Sequence, residues 1–187
     1  MCNDIWVSSD SDKILNIATS CGVNIIKRPK NISSDISSSE DAWIHAVKSI
    51  SKIKTFNDND LLVTPQVTSP VRHSYDFKKA LKIFKNENLD SLFSANEIND
   101  YFIWTKKTKL VSENYNFKKR QNRQNIKKKY HENGSFYIFK KNILLKYKNR
   151  LGGKIGVYTM PEYKSLQIDK LEDIKFCSIV FNNLIKL

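Results

Sequence analysis

Three groups of residues in this sequence carry side chains suited to chemistry. The first is Gln66-Val67-Thr68-Ser69-Pro70-Val71-Arg72, directly after the apolar run Leu61-Leu62-Val63. Read alone it is a turn: proline stops a strand, and hydroxyls and backbone amides are offered at the strand's end, where open α/β sheets bind ligands. The second is Asp169, followed by Asp173. A carboxylate at Asp169 can hold a divalent cation through hard oxygens, or it can cap the helix that opens near Leu171; Asp173 reads as first-turn helix charge. The third is Lys106–Lys129, dense in lysine and arginine, with Trp104, Tyr115, Phe117 and Tyr130 in or beside it. Basic and aromatic residues together can hold a nucleic-acid strand. They can equally hold a small polyanion or coat an extended arm, and composition does not choose. His45, His73 and His131 have no partners at useful spacing. Cys2, Cys21 and Cys177 are odd in number and far apart. Neither a disulfide framework nor a zinc site is indicated, and a reducing cytoplasm is the default expectation.

The elements that must position these groups are readable from periodicity. Ile5-Trp6-Val7 is a short strand entering the polar turn Ser8–Asp12, and Ile14, Leu15, Ile17 and Ala18 recur at helical spacing up to Cys21-Gly22. Val23–Ile26 is a second strand, Ser33–Ser39 a loop, and Ser39-Glu40-Asp41 opens a helix. Strand Leu61–Val63, helix Phe77–Phe84 and strand Ser91–Ser94 follow. Alternating strands and helices predict an α/β domain with a mostly parallel sheet. The rhythm fails from Asn96 to His131, a polar, basic insertion. It resumes with strand Ser135–Phe139, helix Asn142–Tyr147, strand Ile155–Met160 and a closing helix from Leu171. The chain of 187 residues suits a single domain with a real core. Its formal charge of +13 comes mainly from lysine, which on scattered helices is usually a solvated face. No apolar run approaches the ~20 residues of a membrane span, and the opening residues lead straight into a strand with no signal peptide expected.

A series of short motifs runs through nearly the whole chain in a fixed order: Val7-Ser8-Ser9-Asp10-Ser11, Arg28-Pro29, Ser34-Asp35, Gln66 through Arg72, Arg123-Gln124-Asn125, Glu132-Asn133-Gly134-Ser135-Phe136-Tyr137, and Ser165-Leu166-Gln167-Ile168-Asp169 with Asp173. Each is weak alone; together they resemble the acylneuraminate cytidylyltransferases, the CMP-sialic acid synthetases and their relatives for other nine-carbon sugar acids. The resemblance implies a Rossmann-like, GT-A-like nucleotidyltransferase fold, a three-layer sandwich, with an inserted dimerisation arm at residues 96–131. It implies transfer of CMP from CTP to the anomeric hydroxyl of a sialic-acid-type sugar, with Mg²⁺, release of pyrophosphate and a homodimer. No membrane partner is expected.

The same resemblance implies the site residues. Asp169 matches the metal-binding carboxylate, and Arg123 and Gln124 match the pair associated with sugar-acid binding and activity, with Arg120 as a supporting cation. Gln66 matches a contact to the sugar nucleotide, Asn133 and Tyr137 match the sugar pocket, and Arg28 matches a basic residue near the nucleotide. Two positions depart from the family's pattern: Gln167 stands where many relatives have a second carboxylate, and Lys127 where many have proline. Relatives also begin with a strand and a Gly-rich, basic loop that wraps the triphosphate, whereas this sequence starts at what resembles the second strand. The resemblance therefore implies that the main CTP-binding element is missing, leaving two unpaired strand edges. Two alternatives remain at this level: a catalytically inactive remnant of the family, or a nucleic-acid-binding module using Lys106–Lys129, against which the absence of an RNA-binding signature speaks.

Overall fold

The computed structural model of the chain describes residues 4–98, 102–106, 108–122 and 128–185. Its strands are β1 (Trp6–Ser9), β2 (Asn24–Lys27), β3 (Leu61–Pro65), β4 (Ser91–Ile98), β5 (Trp104–Lys106), β6 (Leu110–Ser112), β7 (Lys129–Lys140) and β8 (Ile155–Thr159). Its helices are α1 (Asp12–Ser20), α2 (Ser39–Ser51), α3 (Ser74–Asn86), α4 (Lys141–Tyr147) and α5 (Leu171–Val180). The expected α/β alternation is present. β1 pairs with β2 in parallel, Trp6 opposite Asn24, and a second sheet has the order β3-β7-β4-β8.

The second sheet contains one reversed strand. Gln66 donates its amide to the Ser135 carbonyl (3.1 Å) and the Thr64 hydroxyl reaches the Tyr137 carbonyl (3.5 Å). Numbers that rise on one strand as they fall on the other mean that β7 runs antiparallel to β3. β4 and β8 advance together, Asp90 bonding Lys154 and Met160 bonding Ala95, and so are parallel. β7 and β4 are each several residues longer than periodicity predicts. The exposed stretch Lys129–Glu132 is in the strand although it has no apolar alternation.

The chain divides into two compact units. One comprises Met1–Val63, Phe84–Leu92 and Ile138–Gly156. Its core holds Leu15, Ile26, Val47, Leu89, Phe139 and Leu144. α2 shows why its sequence is helical: the Ser38 hydroxyl accepts from the Asp41 amide (3.1 Å), and Glu40 and Asp41 face the positive end of the helix dipole. Glu40 also forms a two-point pair with Arg150, at 2.7 and 3.1 Å, and the Arg150 guanidinium lies over Trp43. Burial alone would raise the Glu40 carboxyl, but bonding to Arg150 outweighs it and holds the group below its usual value near 4.5. A carboxyl with a depressed folded value adds stability that is complete above the unfolded value and lost as pH falls through the folded one. Glu40→Gln should therefore lower the urea midpoint at pH 7 and leave little difference from the parent in strongly acidic solution, where both carry a neutral side chain.

The other unit comprises Thr64–Ile83, Phe93–Tyr137 and Val157–Leu187. Phe136 packs against Phe77 and Tyr158, with ring centroids 4.8 and 5.8 Å apart. A second cluster gathers Tyr163, Leu166, Ile168 and Val180 on buried Val71 and Cys177. α5 mixes Glu172, Asp173 and Lys175 with apolar residues, and Leu171, Phe176 and Ile179 are exposed on it. β5 and β6 form an antiparallel hairpin, Trp104 opposite Ser112, inside the predicted insertion. No described helix is long and apolar enough to cross a membrane.

Candidate functional site

The turn after β3 is shaped by one side chain. Arg72 Nη1 donates to the carbonyls of Ser69 (2.5 Å) and Ser135 (2.6 Å), and Nη2 donates to the carbonyl of Gln66 (3.0 Å). The Ser69 amide closes the turn on the Gln66 carbonyl (3.2 Å). Three carbonyls thus converge on a single planar cation, whose fixed fork suits them better than a lysine would. Burial pulls the Arg72 guanidinium below its usual value and the Asp76 carboxylate opposes that shift. In the sequence Arg72 is legible as the end of a motif, without a role.

Gly134 is the meeting point of the site. It has φ +66°, in the left-handed region where glycine carries no steric penalty. A β-carbon there would come within 2.7 Å of Gln66 Oε1 and 3.3 Å of Gln167 Nε2, with the Ser69 hydroxyl at 3.6 Å. Gln167 donates to the Asn133 carbonyl (3.2 Å), and the Ile168 amide donates to the Thr68 carbonyl (2.7 Å). Two amide side chains and a hydroxyl therefore surround a glycine backbone in the middle of β7, beside the end of β3. The Ser69 hydroxyl is fully buried and has no hydrogen-bond partner among the described residues. Buried hydroxyls are normally paired, so this one marks a place for a ligand group or a water.

Asp169 follows Gln167 by two positions and is exposed. Its carboxylate takes part in no hydrogen bond or ion pair given for the described residues, while Asp173 accepts from the amides of Asp169 (2.9 Å) and Lys170 (2.8 Å). Asp173 is the capping carboxylate at the start of α5, as its first-turn position suggested, and Asp169 is left with its oxygens available. Those oxygens fit Mg²⁺, which takes one or two carboxylates and completes its shell with water and substrate phosphate. No group of three or more His, Cys, Asp or Glu side chains placed to hold a metal ion occurs among the described residues.

The remaining expected site residues fall differently. Asn133 is fully buried: its Oδ1 accepts from the Ser94 hydroxyl (2.7 Å) and the Ser135 amide (3.1 Å), and its Nδ2 faces Met160 sulfur (3.5 Å). Its side chain is thus spent on joining β7 to β4 and β8. Tyr137 is buried in the sheet at 5% exposure. Both side chains are buried on strand β7. Arg28 lies in the other unit, donating to the Ser33 hydroxyl (3.0 Å) in an open polar pocket with Ser34, Ser37 and Ser38. Arg120 stacks on Phe102 in the arm, 4.2 Å from the ring centroid, rather than joining the groups around Gly134. Arg123, Gln124 and Lys127 lie outside the described residues. In the arm the aromatic residues pack on one another, Tyr115 against Phe102 at 4.3 Å and Trp104 against Phe117 at 5.2 Å.

A family model described as cytidylyltransferase matches residues 1–187. This chain belongs to the cytidylyltransferase family. Among proteins similar to it, an N-acylneuraminate cytidylyltransferase of Streptococcus agalactiae is 28% identical over 175 residues, covering 91% of this chain and 40% of that protein. The chain thus spans about two fifths of the length of that relative. A pseudaminic acid cytidylyltransferase of Campylobacter jejuni is 23% identical over 185 residues, covering 96% of this chain and 78% of that protein. A 4-diphosphocytidyl-2C-methyl-D-erythritol synthase from Anaerococcus prevotii superposes with a TM-score of 0.62 at 15% identity, covering 97% of this chain and 82% of that one. That last likeness speaks to the fold alone, which is the Rossmann-like nucleotidyltransferase fold of this family.

Proposed function

We propose that the chain carries the acceptor and metal side of a CMP transfer, from CTP to the anomeric hydroxyl of a sialic- or pseudaminic-type sugar acid, with release of pyrophosphate. The observation that carries the reading is the convergence of Gln66, Gln167 and the unpaired Ser69 hydroxyl around Gly134, with Gln167 two positions before Asp169. A sugar acid is a dense array of hydroxyls with one carboxylate. Neutral amides and a hydroxyl suit the former, because each can donate and accept. Attack of a hydroxyl oxygen on the α-phosphorus is chiefly a matter of alignment and charge neutralisation, with pyrophosphate leaving. Asp169 would hold Mg²⁺, whose charge offsets that of the triphosphate and polarises the phosphoryl oxygens. Gln66 and Gln167 orient the sugar, and Arg72 keeps the Gln66 turn in shape from behind. Arg123 and Gln124 belong to the same proposal through the family's motif, with the sugar carboxylate as the target of an arginine fork. The arm exposes Trp104, Leu110, Val111 and Phe117, which supports its use as a surface for a second copy.

The test is pyrophosphate release from CTP, Mg²⁺ and N-acetylneuraminate or a pseudaminic-type acid, run beside calorimetry with the CMP-sugar. Release above the sugar-free control is the expected result. Folded protein that neither releases pyrophosphate nor binds the CMP-sugar would overturn the proposal. Binding without turnover would leave the acceptor side standing and assign this chain to the catalytically inactive class.

A further inference from the structure

A lysine and an aspartate sit in the interior of the site-bearing unit, and the aspartate also acts on the Arg72 guanidinium. Lys164 and Asp76 are each 1% exposed. The Lys164 ammonium lies 2.7 Å from Asp76 Oδ2, 3.0 Å from Oδ1 and 3.2 Å from the Tyr75 hydroxyl. Asp76 is filled as well: Oδ1 accepts from the Tyr158 hydroxyl (3.0 Å) and Oδ2 from the His73 amide (2.7 Å). All three ammonium protons have acceptors within reach, and both carboxylate oxygens take donors from two further elements. Such a network is satisfied in only one geometry.

Its location gives it a use. His73-Ser74-Tyr75-Asp76 is the junction between the Gln66–Arg72 turn and α3. Lys164 lies in the short turn Glu162–Ser165, which leads directly into Leu166–Asp169. The two segments that meet at Gly134 are therefore tied together at a second point, behind the site. An apolar pair of similar volume would hold them as firmly, since burying two charges costs about what their attraction returns. Apolar packing, however, slides, whereas a doubly bonded ammonium does not.

We propose that Lys164 and Asp76 are positioning residues, whose buried ion pair sets the register of Leu166–Asp169 against the Gln66–Arg72 turn. Their value to catalysis rests on the CMP-transfer reading, but their effect on the segment does not. Burial alone would lower the Lys164 ammonium's pKa; bonds to Asp76 and Tyr75 outweigh that, and the net shift is upward.

The experiment is amide hydrogen exchange by NMR on the whole chain, comparing the parent with Lys164→Met. The Ile168 amide, bonded to the Thr68 carbonyl, should exchange at least ten times faster, while the Phe136 and Ile138 amides of β7 change less than twofold. A rise at Ile168 no larger than that in β7 would overturn the proposal, because the pair would then be a general staple of the core. The double variant Asp76→Leu with Lys164→Met should recover the melting midpoint yet keep fast exchange at Ile168. Recovery of both would also overturn it. If Lys164→Met does not fold, Tyr158→Phe removes one hydrogen bond and no charge, and its Ile168 exchange is judged by the same comparison. None of these readings uses CTP or sugar, so a silent pyrophosphate assay with a selective response at Ile168 would remove the CMP-transfer reading and leave the register claim standing. In protein that turns over, half-saturating Mg²⁺ should rise about tenfold in the variant with kcat held within twofold.

Discussion

Arg72→Leu should cost roughly 3 kcal/mol of folding stability and abolish binding at the site together. A hydrogen bond to a charged group is worth about 1.5–3 kcal/mol, and orphaning a buried acceptor costs about 1–3 kcal/mol. Arg72 serves the carbonyls of Gln66, Ser69 and Ser135 at once. The sum is discounted because the side chain is half-buried and water can reach part of the vacated space. The Arg72 guanidinium carbon also lies 5.8 Å from the centroid of the Phe77 ring, a contact that leucine gives up. A urea titration measures the first effect and CMP-sugar calorimetry the second. Arg72→Lys should recover some stability but not binding, since a point charge cannot serve three carbonyls in one plane. A leucine variant as stable as the parent would show that the turn holds its shape without the arginine.

Asp169→Asn separates chemistry from folding in the opposite way. The carboxylate is exposed and outside the hydrogen bonds of the described residues, so the folding stability should stay within about 0.5 kcal/mol of the parent. Mg²⁺-dependent pyrophosphate release should fall on the order of 100-fold or more, because the amide retains the shape but loses the charge that holds the cation. Asp173→Asn supplies the contrast. It weakens two amide bonds at the start of α5 and should cost about 1 kcal/mol while leaving more of the turnover. Equal loss of turnover in both variants would place the metal on Asp173 as much as on Asp169.

Much of the fold could be read from the sequence because burial imposes a period on it. Leu15 and Ala18 on α1 and Val47 on α2 are buried as their spacing predicts, and the run Leu61–Val63 is a strand, though only half-buried. The ends of β4 and β7 could not be found this way. Lys129–Glu132 is exposed, so its pairing is backbone pairing, which leaves no mark on side-chain type. Nor does local composition record that β7 runs against its neighbours. At the site, Gln66 and Asp169 were recoverable through the motif series, and Gln167 entered it as a departure. Asn133 and Tyr137 matched the same motifs but serve the interior, because a motif gives a position in the chain and not the face it occupies. Lys164 was invisible for a different reason. Among 32 lysines and arginines, nothing local marks Lys164 as buried, and its partner lies 88 positions away.

The pairing of Lys164 with Asp76 also limits how this sequence can drift. Loss of either member alone strands a charge in a dry interior, whereas loss of both in favour of apolar residues is tolerable. The path from one state to the other crosses a deep fitness valley, so descendants of this chain should keep both residues or exchange both within a single lineage step. That gives the two positions a shared history, and any lineage in which one has changed alone should carry a compensating change at Tyr75 or Tyr158.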